Sequence, residues 1–450
     1  MLSDFMISGD DRKIFLLCGY AGTGKTSLIS ALVRTMEQLG RKTVLLAPTG
    51  RAAKVFSNYS QKSAHTIHKR IYRQKSILDA SNFTLMDNKA SNTLFIVDEA
   101  SMISNAGVSN FGSGALLDDL VEFVYSGNNC SLLLLGDTAQ LPPVGEELSP
   151  ALSQEYLRSM FLNVTAVELT QVMRQVDGSG ILYNATMLRE FIRCERYGVA
   201  PKVKLSDFAD ISCVRGEELI EAIESSYNNV GTNETIVLCR SNKRANIYNE
   251  GIRRRILYRE EELCRGDMLM VVKNNYYWRE LLGREDKTLL DKFDFIANGD
   301  IAEVIRVGGV EEMYGFRFAD VTLSLVDYED CEIDVKIMLD TLVSESPSLT
   351  KDESDRLFKA VWEDYPEIRS KRKRMEQVRN NPYYNAIQVK YGYAVTCHKA
   401  QGGQWQRVFI DQGFVSPDMM GLDYYRWLYT AFTRASERLY LVNWSETQTE

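Results

Sequence analysis

The sequence predicts an α/β protein built on parallel β-sheet, and three observations lead to this class. Short apolar runs recur at residues 14–18, 43–47, 94–98 and 131–137. Stretches with a helical spacing of apolar residues separate these runs, and a glycine-rich turn follows the first run directly. Near-continuous apolar runs are typical of strands buried on both faces, as in parallel sheets covered by helices.

The size and composition of the chain allow several domains and disfavour some classes of protein. With 450 residues, of which 45% are hydrophobic, the chain can form more than one core. Its net charge of −8 provides no overall positive field, so any contact with nucleic acid must come from a local groove. We find no signal-peptide pattern and no apolar run near the roughly 18 residues that span a membrane. We therefore expect a cytoplasmic protein with no membrane partner.

The glycine-rich turn, "GYAGTGKT" at residues 19–26, fits the phosphate-binding pattern G-x-x-x-x-G-K-[ST] in full. In such a turn, backbone N–H groups point towards phosphate, Lys25 reaches the β- and γ-phosphates, and the Thr26 hydroxyl ligates Mg²⁺. The pattern therefore predicts a site for ATP and Mg²⁺. The residues predicted to hold the nucleotide are Gly19, Gly22, Thr23, Gly24, Lys25, Thr26 and Ser27.

Two later strands end in polar residues that suit the same site. The run at 94–98 ends in Asp98 and is followed directly by Glu99, and Gln140 lies three residues after the run at 131–137. Asp98 suits the Mg²⁺ shell, and Glu99 suits the activation of the attacking water. Gln140 is expected to reach the γ-phosphate or that water, because ligands of open α/β sheets lie at the carboxyl ends of strands. The alternative interpretation of the segment around Gln140 is an ordinary proline-stiffened turn.

Three further stretches carry basic and hydroxyl groups. In "APTGRAAKVF" (47–56), Thr49, Gly50 and Arg51 suit contacts with backbone phosphates, although a helix N-cap with solvated charges fits the same letters. Two of the three histidines lie in "SAHTIHK" (63–69), and the third lies in "AVTCHKAQGGQW" (394–405). Arg174 and Arg434 are candidates for contacts with γ-phosphate charge, although isolated arginines are usually surface groups.

The second half of the chain predicts another α/β sheet with insertions. Apolar runs at 235–239, 407–411 and 438–443 predict its strands. Between about 266 and 384 the pattern changes to alternating β segments and a charged helical stretch, which predicts an inserted small β-barrel with a helical arm. A smaller insertion at about 69–93 interrupts the first sheet.

Seven stretches in order resemble the motifs of superfamily-one helicases, specifically the RecD-like and phage Dda-like group. The resemblance covers roughly residues 12–265 and 385–445. The stretches are "GYAGTGKT", "APTGRAAK", "VDEAS", "GDTAQLPPVG", "VMRQ", "YAVTCHKAQGGQW" and "YTAFTRASERL".

The resemblance implies two RecA-like P-loop NTPase domains that bind ATP between them and move 5′-to-3′ on single-stranded DNA. The first domain is expected at 1–180, with the insertion at about 69–93. The second is expected at 181–265 and 385–450, and the inserted SH3-like barrel with its helical arm at 266–384. The implied partners are single-stranded DNA and forked or tailed duplex DNA, and we expect a monomer.

The resemblance also implies roles for individual residues. Arg174 and Arg434 are expected to reach the γ-phosphate from across the cleft, and Gln401 and Gly402 to face the nucleotide. Phe83 is a candidate for a stacking pin that separates the strands, although an inward-packing strand residue fits that position too. The residues expected to contact DNA are Pro48, Thr49, Gly50, Arg51, Thr66, His68, Phe83, Thr396, His398 and Lys399.

One departure from the family concerns the N-terminus. Relatives carry a glutamine upstream of the phosphate-binding turn that recognises adenine, whereas residues 1–18 contain none. We therefore expect that the natural start of the chain is missing. Two alternatives to a DNA helicase stay open at this point. One is a nucleic-acid-stimulated ATPase that remodels protein–DNA complexes or acts on RNA, and the other is a binding module whose ATPase has decayed.

Overall fold

In the computed structural model, the chain forms two compact units. The first unit contains Met1–Arg73, Phe83–Gly216 and Ala400–Glu450, and the second contains Glu217–Lys399. The structure describes residues 1–74, 83–105, 112–171, 178–285, 295–326, 328 and 331–450.

A six-stranded sheet forms the centre of the first unit, and all its neighbouring strands are parallel. The strand order is β3-β2-β6-β7-β1-β8. Because every strand runs in the same direction, the residues that follow β1, β2, β6 and β7 meet at one edge. The strands are β1 Lys13–Gly19, β2 Lys42–Ala47, β3 Ala64–Thr66, β6 Thr93–Val97, β7 Ser131–Gly136 and β8 Asn163–Leu169.

Both faces of this sheet are buried, which explains the continuous apolar runs. Side chains alternate along a strand, so Phe95 and Val97 join the core on one face, while Leu94 and Ile96 join the core on the other. The N-terminal helix α1 (Leu2–Ile7) contributes to the second core, since Phe5 is buried with its ring 5.3 Å from that of Phe15.

The remaining elements of this part of the first unit are helices and three short strands. β4 and β5 form a two-stranded sheet within the predicted insertion. The helices are α1 Leu2–Ile7, α2 Lys25–Gln38, α3 Gly50–Ser60, α4 Ile67–Ile71, α5 Leu116–Ser126, α6 Gln154–Ser159 and α7 Gly180–Arg193, and the strands are β4 Tyr72–Gln74, β5 Phe83–Leu85 and β9 Ile211–Val214.

A closed five-stranded barrel dominates the second unit. Its strands are antiparallel neighbours except for β14 and β15, which pair in parallel and close the barrel. The strands are β11 Met268–Val271, β12 Ile301–Met313, β13 Phe316–Leu325, β14 Cys331–Met338 and β15 Ile387–Tyr391.

Among the described residues of the second unit, the other elements include five α-helices and the parallel strand pair β10 with β16. Two of the helices, α11 and α12, form the predicted arm and pack on the barrel, where Leu357 and Val378 share a core with Phe318. The elements are α8 Leu219–Val230, β10 Thr235–Cys239, α9 Asn242–Arg255, α10 Tyr277–Glu285, α11 Lys351–Glu363, α12 Lys371–Arg379 and β16 Ala394–Thr396.

The C-terminal segment returns to the first unit. Its strands β17 (Trp405–Asp411) and β18 (Ala435–Val442) are parallel, and β18 also pairs in parallel with β9. Between them, helix α13 (Leu422–Phe432) is buried along most of its length. A fully buried helix brings polar side chains into the interior, so each of those needs a partner.

The predicted fold class is confirmed: the chain is an α/β protein with parallel sheets and a small inserted barrel. The predicted domain boundaries stay a prediction. In the part of the chain that the structure describes, no helix is both long and apolar enough to cross a membrane.

A buried ion network holds the start of the barrel. The side chain of Asp267 is fully buried and accepts two hydrogen bonds from Arg253, both 2.9 Å long. It also accepts from Arg259 at 2.6 Å, from the Cys264 N–H at 2.7 Å and from the Tyr393 hydroxyl at 3.0 Å. These five donors compensate the loss of hydration that burial imposes on the carboxylate.

We predict that Asp267→Asn destabilises the protein by about 3–5 kcal/mol, because it leaves two guanidinium groups without a counter-charge in a buried position. Chemical denaturation measures the free energy of unfolding. The matched control is Asp334→Asn, because Asp334 is exposed and pairs with Arg306 at 3.5 Å; surface pairs contribute about 0–1 kcal/mol. Equal effects of the two substitutions would contradict the prediction.

Candidate active site

The phosphate-binding turn joins β1 to α2 at the carboxyl edge of the six-stranded sheet. Gly22 and Gly24 have φ angles of 77° and 85°, which favour glycine because a Cβ is strained there. At Gly19, a Cβ would lie 2.8 Å from the Thr23 hydroxyl oxygen. Glycine therefore suits the backbone path at all three positions, of which the pattern itself fixes Gly19 and Gly24.

The Lys25 ammonium group folds back over the turn. It donates to the carbonyl oxygen of Gly19 and, at 3.0 Å, to that of Tyr20. Both acceptors are neutral, so the positive charge of Lys25 is not cancelled by these contacts. The turn therefore presents a positive charge and the N-terminus of α2 together, an arrangement that favours anions.

Asp98 lies directly after β6, half-buried, and its carboxylate is held on both oxygens. The Tyr59 hydroxyl donates to Oδ2, and the Glu99 N–H donates to Oδ1 at 2.8 Å. Burial, reinforced by the charge of Glu99, raises the pKa of Asp98 to about 6. Glu99 itself has a φ of 53°, a left-handed conformation that is uncommon for a residue with a side chain.

Asp137 follows β7 and is also buried, with 2% of its surface exposed. Its Oδ2 accepts a 2.6 Å hydrogen bond from the Tyr429 hydroxyl, whose oxygen in turn accepts from the Ala21 N–H at 2.8 Å. Burial raises the pKa of Asp137, while the charge of Lys25 and the bond from Tyr429 act in the opposite direction. Tyr429 thus connects helix α13 to both the phosphate-binding turn and the end of β7.

The loop after β7 is fixed by two more contacts from the C-terminal segment. The Leu141 N–H donates to the Thr430 hydroxyl at 2.9 Å, and the Gln401 amide donates to the Leu141 carbonyl at 2.6 Å. The neighbouring Gln140 is buried, and its Oε1 has no hydrogen-bond partner among the described residues. A buried acceptor without a hydrogen bond destabilises the protein, unless a further group such as a water molecule or a ligand donates to it.

Arg434 lies just after α13 and is 3% exposed. Its guanidinium donates to the carbonyl oxygens of Thr430 and Gly403, each at 3.1 Å, and to the Thr433 hydroxyl at 3.2 Å. All three are neutral oxygens, so these contacts hold the guanidinium without neutralising it. Arg174, the other predicted arginine, lies outside the described residues.

The start of α3 packs against the loop at 401–404. Thr49 is the N-cap of α3 and accepts from the Ala52 N–H at 3.2 Å. Gly402 has a φ of 74°, and a Cβ there would lie 3.2 Å from the Thr49 hydroxyl oxygen. Arg51 donates to the Gln404 carbonyl at 3.0 Å and lies 4.0 Å above the Trp405 ring. Pro48 is half-buried and Gly50 is buried beside Thr49.

Thr66 ends β3, the edge strand of the six-stranded sheet, while His68 lies in α4 and Phe83 in β5. Thr66 is buried and caps α4 by accepting from the Lys69 N–H at 3.2 Å. His68 packs 5.7 Å from the Tyr72 ring, and burial lowers its pKa to about 4. Phe83 is partly buried against the core, as expected of an ordinary strand residue. The DNA contacts of Thr66 and His68, and the role of Phe83 as a pin, stay predictions.

The three predicted DNA contacts of the second unit lie at the end of β16 and in the turn that follows. Thr396 is half-buried and His398 is exposed. Lys399 is half-buried, and its ammonium nitrogen has no hydrogen-bond partner in the described part of the chain. Burial, with a smaller contribution from the charge of Lys390, lowers the pKa of Lys399 to about 7.

The residues present fit a nucleoside triphosphate with Mg²⁺. The glycine turn, the Lys25 charge and the unpaired Gln140 oxygen together suit an anionic ligand with ordered water. Among the described residues, no group of three or more His, Cys, Asp or Glu side chains could hold a metal ion. Mg²⁺ does not need such a group, because it keeps several waters and is bound by one or two protein groups plus substrate phosphates. Thr26, which is exposed in the first turn of α2, and Asp98 stay the residues predicted for that role.

Two tyrosines of this site were not predicted from the sequence. Tyr429 begins the stretch "YTAFTRASERL" but received no role, and Tyr59 was not singled out. Their hydroxyls contact Asp137 and Asp98 across 292 and 39 residues of sequence. A tyrosine in an apolar stretch predicts core packing, so only the fold reveals which carboxylate each hydroxyl meets. The sequence feature that could have drawn attention to Tyr429 is its position in the same motif as Arg434, five residues before that arginine.

Two family models match the chain in the regions that build this site. Residues 6–190 match an AAA domain, and residues 391–442 match a UvrD-like helicase C-terminal domain. The ATP-dependent DNA helicase Dda of Enterobacteria phage T4 is 24% identical, over 87% of this chain and 86% of its own length.

Two further relatives resemble the chain over different lengths. The ATP-dependent RecD2 DNA helicase of Deinococcus radiodurans is 31% identical, over 39% of this chain and only 21% of its own length. A crystal structure of the Pif1 helicase from Bacteroides with ADP-AlF3 and single-stranded DNA has 16% identity and a TM-score of 0.47, over 98% of this chain and 91% of that one.

We predict that Tyr429→Phe lowers the free energy of unfolding by about 1–3 kcal/mol without nucleotide, because buried Asp137 and the Ala21 N–H each lose a partner. With saturating ATP analogue the deficit should shrink, since phosphate can satisfy the Ala21 N–H. Denaturation with and without nucleotide measures both values. The control is Tyr125→Phe, which removes a 2.7 Å bond to the Lys13 carbonyl away from the site. A deficit in Tyr429→Phe that nucleotide leaves unchanged would show that the turn does not use this N–H.

Proposed function

Because the chain belongs to the superfamily-one helicases, we propose that it hydrolyses ATP to move 5′-to-3′ along single-stranded DNA and to separate duplex strands. The observation that carries this proposal is the meeting of two distant segments at one sheet edge. Asp98 and Asp137 follow neighbouring strands, and Gln401 and Tyr429 of the C-terminal segment bond to Leu141 and Asp137 at this edge. A site completed by a remote segment can couple nucleotide state to movement of that segment.

ATP is proposed to bind at the turn of residues 19–27, with Gln401 and Gly402 nearby. Lys25 exchanges its two backbone carbonyl partners for phosphate oxygens, which carry full negative charge and form stronger bonds with an ammonium group. Mg²⁺, when bound, neutralises charge on the β- and γ-phosphates. Asp98 and the Thr26 hydroxyl are the groups that would hold it, and Tyr59 orients Asp98 through its hydrogen bond.

Hydrolysis is proposed to use Glu99, Gln140 and Arg434. Glu99 accepts a proton from the attacking water, and the unpaired Oε1 of Gln140 accepts a hydrogen bond that orients the same water. Arg434 stabilises negative charge that develops on the γ-phosphate, because its guanidinium is held only by neutral oxygens and keeps its charge available. Arg174 is proposed for the same role.

The packing of the loop at 401–404 on α3 supports coupling between ATP and DNA. Gln401 contacts the segment next to Gln140, while Gly402 touches the Thr49 cap at the start of α3. A shift of this loop would therefore change contacts both beside the nucleotide and at the predicted DNA-contact residues, Pro48 to Arg51. Thr66 and His68 of the first unit are proposed to contact DNA as well, and so are Thr396, His398 and Lys399 of the second unit. Action as a cytoplasmic monomer stays a prediction.

We predict that the chain unwinds a duplex with a 5′ single-stranded tail and leaves one with a 3′ tail intact. Strand separation is followed by gel or fluorescence with ATP and Mg²⁺. Lys25→Ala should lose unwinding and DNA-stimulated ATP hydrolysis, since the ammonium group that binds the phosphates is gone. Unwinding from the 3′ tail would overturn the direction, and hydrolysis that single-stranded DNA does not stimulate would overturn the motor itself.

We predict that the affinity for single-stranded DNA decreases as the pH rises above about 7. The pKa of Lys399 lies near 7 in the free chain, so above that pH the amine is neutral and a phosphate contact must take up a proton. The affinity should fall by at most about tenfold per pH unit, because binding takes up a single proton at Lys399. Fluorescence anisotropy of a labelled oligonucleotide at constant ionic strength measures it. Lys399→Arg should remove the pH dependence because the guanidinium stays charged; the same slope in both proteins would exclude Lys399 from the DNA contact.

A further inference from the structure

A cavity of about 640 Å³ opens in the first unit at the N-terminal ends of β2 and β6. Lys42 and Thr93, the first residues of these strands, lie in its wall. The candidate active site follows the carboxyl ends of the same parallel sheet, so the cavity lies at the opposite end of the strands. It is therefore a separate site.

The wall of the cavity is strongly cationic. It contains five basic side chains and one carboxylate, that of Asp87. Of the five, Lys62 is paired, since it lies 3.1 Å from Glu37 and donates to the Thr43 hydroxyl at 2.7 Å. Within the described ranges, the other four form no ion pair. The five are Lys42, Lys62, Arg70, Arg73 and Lys89.

Arg70 provides an independent sign of a missing ligand. It is half-buried on α4, and its Nε is buried without a hydrogen-bond partner among the described residues. An unpaired buried donor on a charged group carries a desolvation cost that an anion would remove. The apolar walls formed by Phe123 and Met86 lower the local dielectric and strengthen any such contact.

The rest of the chain makes this concentration of positive charge unusual. The chain as a whole carries a net charge of −8, so the cavity is not part of a generally basic surface. Positive charge gathered in a concave site attracts anions more strongly than the same charges spread over a surface. Two arginines supply forked donors that match the oxygens of a phosphate group, and the lysines add point charges.

We propose that this cavity binds a phosphodiester group of the nucleic-acid substrate, at a second contact beyond the predicted DNA track. The proposal rests on the proposed function, which supplies the nucleic acid. Its ligand chemistry is phosphate held by guanidinium and ammonium groups. A small free phosphate compound shares that chemistry, so the experiment separates the two sources.

The test compares the unchanged chain with the double variant Arg70→Gln, Arg73→Gln. Dissociation constants are measured by anisotropy over a range of salt concentrations, for a tailed duplex and for a single strand of about 10 nucleotides, near the size of one binding groove. For the tailed duplex, the slope of log affinity against log salt should fall by about 2, since each lost phosphate contact contributes about 0.9. Affinity for the short strand, and the ATP hydrolysis it stimulates, should not change.

The matched control is Arg196→Gln, Lys202→Gln, which removes the same charge from exposed positions of the same unit. It should leave the salt slope for both DNAs unchanged. An equal loss of slope in the two double variants would mean that only net charge matters, and this would overturn the proposal. An unchanged slope in the cavity variant would overturn it as well.

Pyrophosphate binding, measured calorimetrically in a Lys25→Ala background, distinguishes the second source. Loss of pyrophosphate binding in the cavity variant with unchanged affinity for DNA would assign the cavity to a small phosphate and overturn the nucleic-acid contact. Failure of the proposed function has a different signature. In that case the unchanged chain shows no DNA-stimulated hydrolysis and no unwinding, whereas the comparison of salt slopes still reports on the cavity.

Discussion

The hydroxyl group of Tyr429 is the contact on which the candidate active site depends. It donates to the buried carboxylate of Asp137 and accepts from the Ala21 N–H of the phosphate-binding turn. One oxygen atom thus joins three segments that are far apart in sequence. Because the Ala21 N–H is a donor that phosphate can also use, a phosphate bound at the turn would compete with the Tyr429 hydroxyl of helix α13 for this N–H.

The charged groups around this contact are arranged so that two cations remain available. Lys25 and Arg434 are held by neutral oxygens, whereas the carboxylates Asp98 and Asp137 are each held by a tyrosine hydroxyl and a backbone N–H. The bonds to neutral oxygens fix the geometry of the cations without cancelling their charge. A buried, preorganised positive charge of this kind favours a triphosphate more strongly than the same charge in water.

The sequence predicted those parts of the site that are local in the chain. Gly24, the second glycine of the pattern, has a positive φ angle that favours glycine, and Asp98 lies directly after a buried strand. The interpretation of Thr49 as a helix N-cap, weighed against a phosphate contact, describes its present hydrogen bond. Partners of Asp98 and Asp137 could not be predicted, since a tyrosine hydroxyl reaches a carboxylate only when a particular helix packs over a particular strand end.

By itself, then, the sequence determined the fold class, the phosphate-binding turn and the order of the motifs, because these depend on residue periodicity and on backbone geometry within a few residues. Only the tertiary structure decided that the Tyr429 hydroxyl accepts from the Ala21 N–H of the turn, that Gly402 packs beside Thr49 at the start of α3, and that basic residues from 42 to 89 line one cavity. Such contacts join strand ends and helices across long loops. Their positions follow from how the helices pack on the sheet, which no local pattern encodes.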